Sequence, residues 1–200
     1  EENFQSVFGT NDPAFVASEM HKLYGLQPKG FYYTDGEKQI PGYRWWEQFE
    51  RFDLSKPDND SVRFGYVVEI DPFDPNSKPV KRTALGRFRH ENAELTVAPN
   101  GQLVVYMGDD EVNQFVYKFV SEGKWDKDRK QGRGGQEFSG LLDRGTLYAA
   151  RFDADGTGEW LELAPGKNNI PAKKSPEDST GFDAGDICIY TREAARIAGA

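Results

Sequence analysis

The sequence predicts a mainly β protein: antiparallel blades of a β-propeller, forming a partial ring in this chain, with a short helical entry and a C-terminal helix. Three observations carry this. After residue 60 the chain becomes a series of short β-branched and aromatic runs separated by Gly, Pro, Asn and Asp. Asn100-Gly101 stands between two apolar runs, which is the pattern of a tight hairpin, because such turns need residues at ease with positive φ. Hairpins of similar length then recur at roughly 40–50 residues with long polar loops between them, as in propeller blades that bury their faces against one another. A free-standing sandwich is the competing reading, and the spread of long loops favours the propeller. Residues 61–190 furnish about two to three blades, too few to close a ring. Residues 1–60 are expected to form an irregular, partly helical entry segment and 61–200 the blade region, together part of one larger domain.

Taken in order, Asp12 to Tyr24 is predicted as a helix, with Asp12 as N-cap, Pro13 at the first helical position and Gly25 as the stop. The aromatic run Trp45–Phe52 fits a short helix or an irregular loop before the turn cluster Asp58-Asn59-Asp60. Arg63–Ile70 is predicted as a strand closed by Asp71-Pro72-Phe73-Asp74-Pro75, where prolines deny the ladder its donors. Lys81–Phe88 is the next strand, and Ala93–Met107 the hairpin around Asn100-Gly101. Gln114–Val120 follows, then a polar loop from Ser121 to Gln136. Gly145–Phe152 and Glu159–Leu163 are predicted to pair across Asp155-Gly156. Asp186–Tyr190 is expected as a last strand, and Thr191–Ala198 as a helix capped by Thr191.

Composition narrows the function. The chain has 200 residues with 25 Lys and Arg against 33 Asp and Glu, so its net charge of −8 excludes nucleic-acid binding by bulk charge. The hydrophobic fraction is only 37%, but 4 Trp, 9 Tyr and 14 Phe supply enough ring surface for a core. No apolar run approaches the roughly 18 residues of a membrane span, and the first residues show no leader pattern. One cysteine, Cys188, excludes an internal disulfide and a cysteine-based zinc site; two histidines, His21 and His90, exclude a histidine-rich one. A metal bound here would depend on oxygen ligands, which favours hard cations such as calcium or ferric iron.

Several segments carry candidate chemistry. Gly86–Glu94 places an imidazole, carboxylates, an amide and two guanidinium groups between two strands: Glu91 fits a hard-metal ligand and Arg89 an anion clamp, while a charged connector with internal ion pairs is the plain alternative. Gly108-Asp109-Asp110-Glu111 concentrates three acids in one turn, as a calcium site or simply as a solvated turn. Asp153–Glu159 imitates the start of a calcium loop but lacks the glutamate that completes it, and a hairpin turn suffices. Arg129–Gly135 is basic and glycine-rich but fits no phosphate-loop spacing. No Gly-x-Ser-x-Gly elbow is present, and Cys188 between Ile187 and Ile189 fits a buried small hydrophobe better than a nucleophile.

Four blocks in one order resemble PhoX-type alkaline phosphatases: Tyr66–Pro72; Ala84–Glu91; Tyr106–Glu111 with Tyr117–Val120; and Gly145–Tyr148. The resemblance implies a secreted or periplasmic bacterial phosphomonoesterase with a propeller fold and an iron and calcium site held largely by carboxylates. It implies that Glu2, in Glu1-Glu2-Asn3-Phe4, and Glu91, in Arg89-His90-Glu91, are metal ligands. Asp109 and Asp110 fall in a matching block as further candidate ligands, with Arg89 at the substrate or in support of the metals. Members of the family are two to three times longer, so the chain is expected to be an internal segment. The metal-bridging cysteine, an Arg-Pro-Glu segment and the export leader would then lie outside it. Such a segment alone is expected to hydrolyse phosphomonoesters poorly and to associate through uncovered blade edges. A non-catalytic propeller that binds calcium or a partner protein is the alternative function.

Overall fold

The computed structural model describes residues 1–30, 32–56, 61–125 and 136–200, so the turn cluster at 58–60 and the basic run 129–135 lie outside the described residues. The chain divides into two compact units, one of Glu2–Gly65 and one of Glu1 with Tyr66–Ala200.

In the first unit rings supply the core: Phe4, Phe8, Tyr24, Leu26, Trp46, Phe52 and Leu54 are buried together. Phe8 meets Phe52 and Phe64 edge-on at centroid distances of 5.4 and 5.2 Å, the geometry the aromatic quadrupole prefers. The predicted helix over 12–24 shrinks to α1 (Glu19–Leu23). Asp12 instead turns the chain back on itself, its side chain accepting from Ala14 N–H at 2.8 Å. Ser18 is the true N-cap: its hydroxyl accepts from His21 N–H while His21 Nδ1 accepts from Ser18 N–H. Trp45–Glu47 and Glu50–Phe52 are 3-10 turns. A hairpin that the sequence reading missed pairs β1 (Tyr32–Asp35) with β2 (Lys38–Pro41) across Gly36.

The second unit is built on an antiparallel meander. Before it, β3 (Val67–Glu69) pairs with β4 (Val80–Arg82). The strand predicted for 81–88 ends at Arg82 and gives way to a 3-10 turn, Thr83–Leu85. Likewise 63–70 contributes three strand residues, because the segment Ser61–Arg63 winds into a turn. Five strands then pair in sequence order: β5 (Glu94–Val97), β6 (Gln102–Gly108), β7 (Val116–Lys124), β8 (Gly145–Phe152) and β9 (Gly158–Glu162). Gly101 at φ +90° and Gly156 at φ +86° make the two predicted hairpin tips. β7 runs through the start of the expected polar loop, and α2 (Gln136–Asp143) follows the undescribed stretch.

One face of the meander, with Val105, Met107, Tyr117, Phe119, Leu147, Ala149 and Leu161, is buried against Leu85, Phe88 and two helices, α3 (Ala184–Ile189) and α4 (Thr191–Ala198). The opposite face carries Lys118, whose ammonium lies 4.4 Å from the Trp160 ring centroid and 4.9 Å from that of Tyr148. The strand predicted for 186–190 is helix α3. Its β-branched Ile187 and Ile189 suggest a strand, but Asp183 and Asp186 close a reciprocal capping box on each other's N–H groups, which starts a helix at that point. α4 occupies the predicted residues, capped at Tyr190 rather than Thr191, whose hydroxyl donates back to the Ile187 carbonyl. Neither helix α2 nor α3 falls within the first 60 or last ten residues, where helices were expected to concentrate. The architecture is mainly β and antiparallel, and the described strands form open sheets.

Candidate functional site

The loop from Gly86 to Ala93 joins the 3-10 turn to β5 and holds both Arg89 and Glu91. Its entry is tight. Gly86 has φ +85° and ψ 165°, and Thr191 packs against it so closely that a Cβ there would lie 2.9 Å from Thr191 Oγ1. That hydroxyl accepts from the backbone N–H of buried Arg87 at 2.9 Å. Phe88 is fully buried between the rings of Tyr117 and His90, stacked at 4.1 and 3.8 Å. His90 shares a hydrogen bond at 3.0 Å between its Nε2 and the Gly86 carbonyl, which assigns the proton to Nε2. Burial pushes its pKa down to about 4, against the opposing pull of the Gly86 carbonyl, so the imidazole is neutral at pH 7 and serves as a packing element of the loop.

The acidic turn 109–111 lies against this loop. His90 and Asp109 form an antiparallel bridge, and Asp110 N–H donates to the Arg89 carbonyl at 3.0 Å. Arg89 Nη1 donates to Glu111 at 2.9 Å, and its Nη2 lies 3.7 Å from Asp110. Gly108 N–H donates to Asn92 Oδ1 at 2.8 Å. Two segments picked out separately in the sequence therefore form one cluster.

Within that cluster the candidate residues differ. The Asp109 side chain is shielded from solvent, with both oxygens held by Arg192 at 2.6 and 2.7 Å and a further bond from Arg89 N–H at 3.2 Å. Burial pushes its carboxyl up from the ordinary value, while the Arg192 fork and the Arg89 amide pull the other way. Asp110 is exposed at the rim. Glu91 is exposed as well, and among the described residues its carboxylate takes no hydrogen bond or ion pair. Glu2 belongs to the other unit, where it is half-buried and accepts from Asn3 Nδ2 at 2.7 Å.

Sequence reasoning missed Arg192, Thr191 as a loop anchor, and Asn92. Arg192 and Thr191 lie 83 and 104 residues from their partners, and no local pattern announces such a contact. Glu91 and Asp110 each offer exposed carboxylate oxygens of the kind a hard cation takes. Among the described residues, however, no three Asp, Glu, His or Cys side chains gather closely enough to complete a metal site.

The sequence profile of the alkaline phosphatase PhoX family matches residues 1–200, and the chain belongs to that family. Among solved structures it is similar to Pseudomonas fluorescens PhoX in complex with vanadate, a transition-state analogue, at 44% identity and a TM-score of 0.83. That match covers 100% of this chain and 32% of the Pseudomonas chain, so the sequence spans about a third of the length of that relative. No curated protein matches the chain. No helix among the described residues is long and apolar enough to cross a membrane.

Proposed function

We propose that this chain is a segment of a secreted or periplasmic, metal-dependent alkaline phosphatase that hydrolyses phosphate monoesters, with its antiparallel meander forming part of a β-propeller. The observation that supports it best is the braced Arg89-His90-Glu91 loop, which holds an exposed carboxylate without a described partner two residues after an arginine. Glu91 and Asp110 are proposed carboxylate ligands of iron and calcium on this loop, and Glu2 is proposed separately as a metal ligand. Arg89, already oriented by Glu111, is the proposed phosphate contact, since a guanidinium fork matches two phosphoryl oxygens. The cations, when bound, neutralise charge on the phosphoryl group and lower the pKa of an attacking water. Asp109, with both oxygens taken by Arg192, serves in this reading as a support for the loop.

The test is turnover of a synthetic phosphate monoester by the purified 200-residue chain and by the longer polypeptide containing it, each supplied with iron and calcium and analysed for bound metal. We expect the longer protein to bind both metals and to turn over, and the chain alone to be poorly active. Calcium without iron and without turnover would instead identify a binding module. Robust turnover by the chain alone would mean that a complete site lies within these 200 residues.

A further inference from the structure

We infer that Arg192, in the first turn of α4, is the positioning residue of the candidate site: through its buried pair with Asp109 it fixes the backbone that carries Arg89 and Glu91. The inference rests on the function proposed above and adds a residue that the proposal leaves out.

Arg192 Nε donates to Asp109 Oδ2 at 2.7 Å and Nη2 donates to Oδ1 at 2.6 Å, with both side chains fully shielded from solvent. A planar fork engaging both oxygens sets the direction of the carboxylate as well as its distance, which a lysine ammonium cannot do. The carboxylate so held accepts from Arg89 N–H at 3.2 Å, and the bridge between His90 and Asp109 runs alongside. One residue earlier on α4, the Thr191 hydroxyl accepts from Arg87 N–H at 2.9 Å. Consecutive helix residues therefore fasten the loop at Arg87 directly and at Arg89 through one intermediary. The close approach at Gly86 seats this contact, leaving no room for a side chain between loop and helix.

Stability alone does not account for the pair. Replacing a buried ion pair by well-packed apolar groups is often neutral or stabilising, and Arg192 sits beside Ala194 and Ala195 in a helix whose other buried positions are small. What an apolar pair would lack is an acceptor for the Arg89 amide in a fixed place. Outer groups that orient ligands in this way are worth about 10–100-fold in activity or metal affinity.

The experiment compares Arg192→Lys, Asp109→Asn and Arg82→Met in the full-length protein, at temperatures where circular dichroism shows each folded. Arg82 is the control: another buried arginine, bound to Glu69 and Asp143 outside the loop. The readouts are kcat and KM for a synthetic phosphate monoester and amide hydrogen exchange over residues 87–91. Arg192→Lys and Asp109→Asn are expected to lower kcat/KM by about 10–100-fold and to speed exchange in that segment about tenfold. Arg82→Met should lose stability and keep wild-type values of both. Should Arg192→Lys fail to fold, Asp109→Asn, which preserves side-chain size, carries the same comparison. Wild-type values in the folded loop variants overturn the inference, as does an equal loss of activity in Arg82→Met. If the wild type hydrolyses no monoester, the proposed function falls, and the exchange readout alone decides whether Arg192 fixes the loop.

Discussion

Gly86→Ala and Gly156→Ala place the same methyl group on backbones of nearly the same φ, +85° and +86°, in opposite surroundings. At Gly156 nothing lies within 4 Å of the added carbon, so the variant bears only the strain of an L-residue at positive φ, about 1–2 kcal/mol. At Gly86 ψ is 165°, a region nearly exclusive to glycine that adds about 1–3 kcal/mol. The methyl would also lie 2.9 Å from Thr191 Cγ2 and Oγ1 and 3.0 Å from Leu147 Cδ2. Thr191 must turn away, and the buried Arg87 N–H then loses its acceptor at about 1–3 kcal/mol more. The sum is roughly 3–8 kcal/mol, at least about 2 kcal/mol beyond the Gly156 variant. For a chain of this length a difference of at least about 2 kcal/mol separates the midpoints by at least about 4 °C. Urea and thermal unfolding of the 200-residue chain, followed by circular dichroism, measure it. Two variants within about 0.5 kcal/mol of each other would refute the claim that Thr191 and Gly86 are packed in mutual dependence.

Phe88→Ala removes a fully buried ring stacked on both sides and should cost about 3–5 kcal/mol in urea unfolding; a loss under about 1 kcal/mol would contradict the packing. Asp183→Ala deletes one half of the α3 capping box and should cost about 1 kcal/mol, read from the same curves, with no loss meaning that the box is idle. Glu91→Gln should lower turnover and bound metal in the longer protein while shifting stability by less than about 0.5 kcal/mol, because the carboxylate is exposed; a large stability loss would make it a structural group. Burial pushes the Cys188 thiol up, so at pH 8 the folded chain should be alkylated more slowly than the unfolded one, and equal rates would show a free thiolate.

What could be read from the sequence was local. Asn100-Gly101 and Asp155-Gly156 announce their hairpins because positive φ at a tip is a requirement that a dipeptide can satisfy alone. Asp35-Gly36 carries the same signal for β1 and β2, but the strands that flank it are only four residues each. Ile187 and Ile189 suggested a strand by propensity, and a capping box three residues wide outweighed them. The Arg89–Glu91 and Asp109–Glu111 segments stand out by their charge, but that one braces the other is a fact of register between β5 and β6 and their flanks. Arg192 looks from the sequence like one more solvated arginine of a polar helix, since nothing within one turn of it reports that its partner lies 83 residues upstream.

That separation sets an order of assembly. The contacts from α4 to the Arg89 loop close only when residues 191 and 192 are present, after the meander between them has been synthesised. Contacts spanning such distances are slow to form, because the chain must give up its freedom before they repay it. On the ribosome, where residues emerge in order, the loop is made early and fastened late. Until α4 docks, the loop is held only by its bonds to the 108–111 turn and lacks the anchors that reach Arg87 and Asp109.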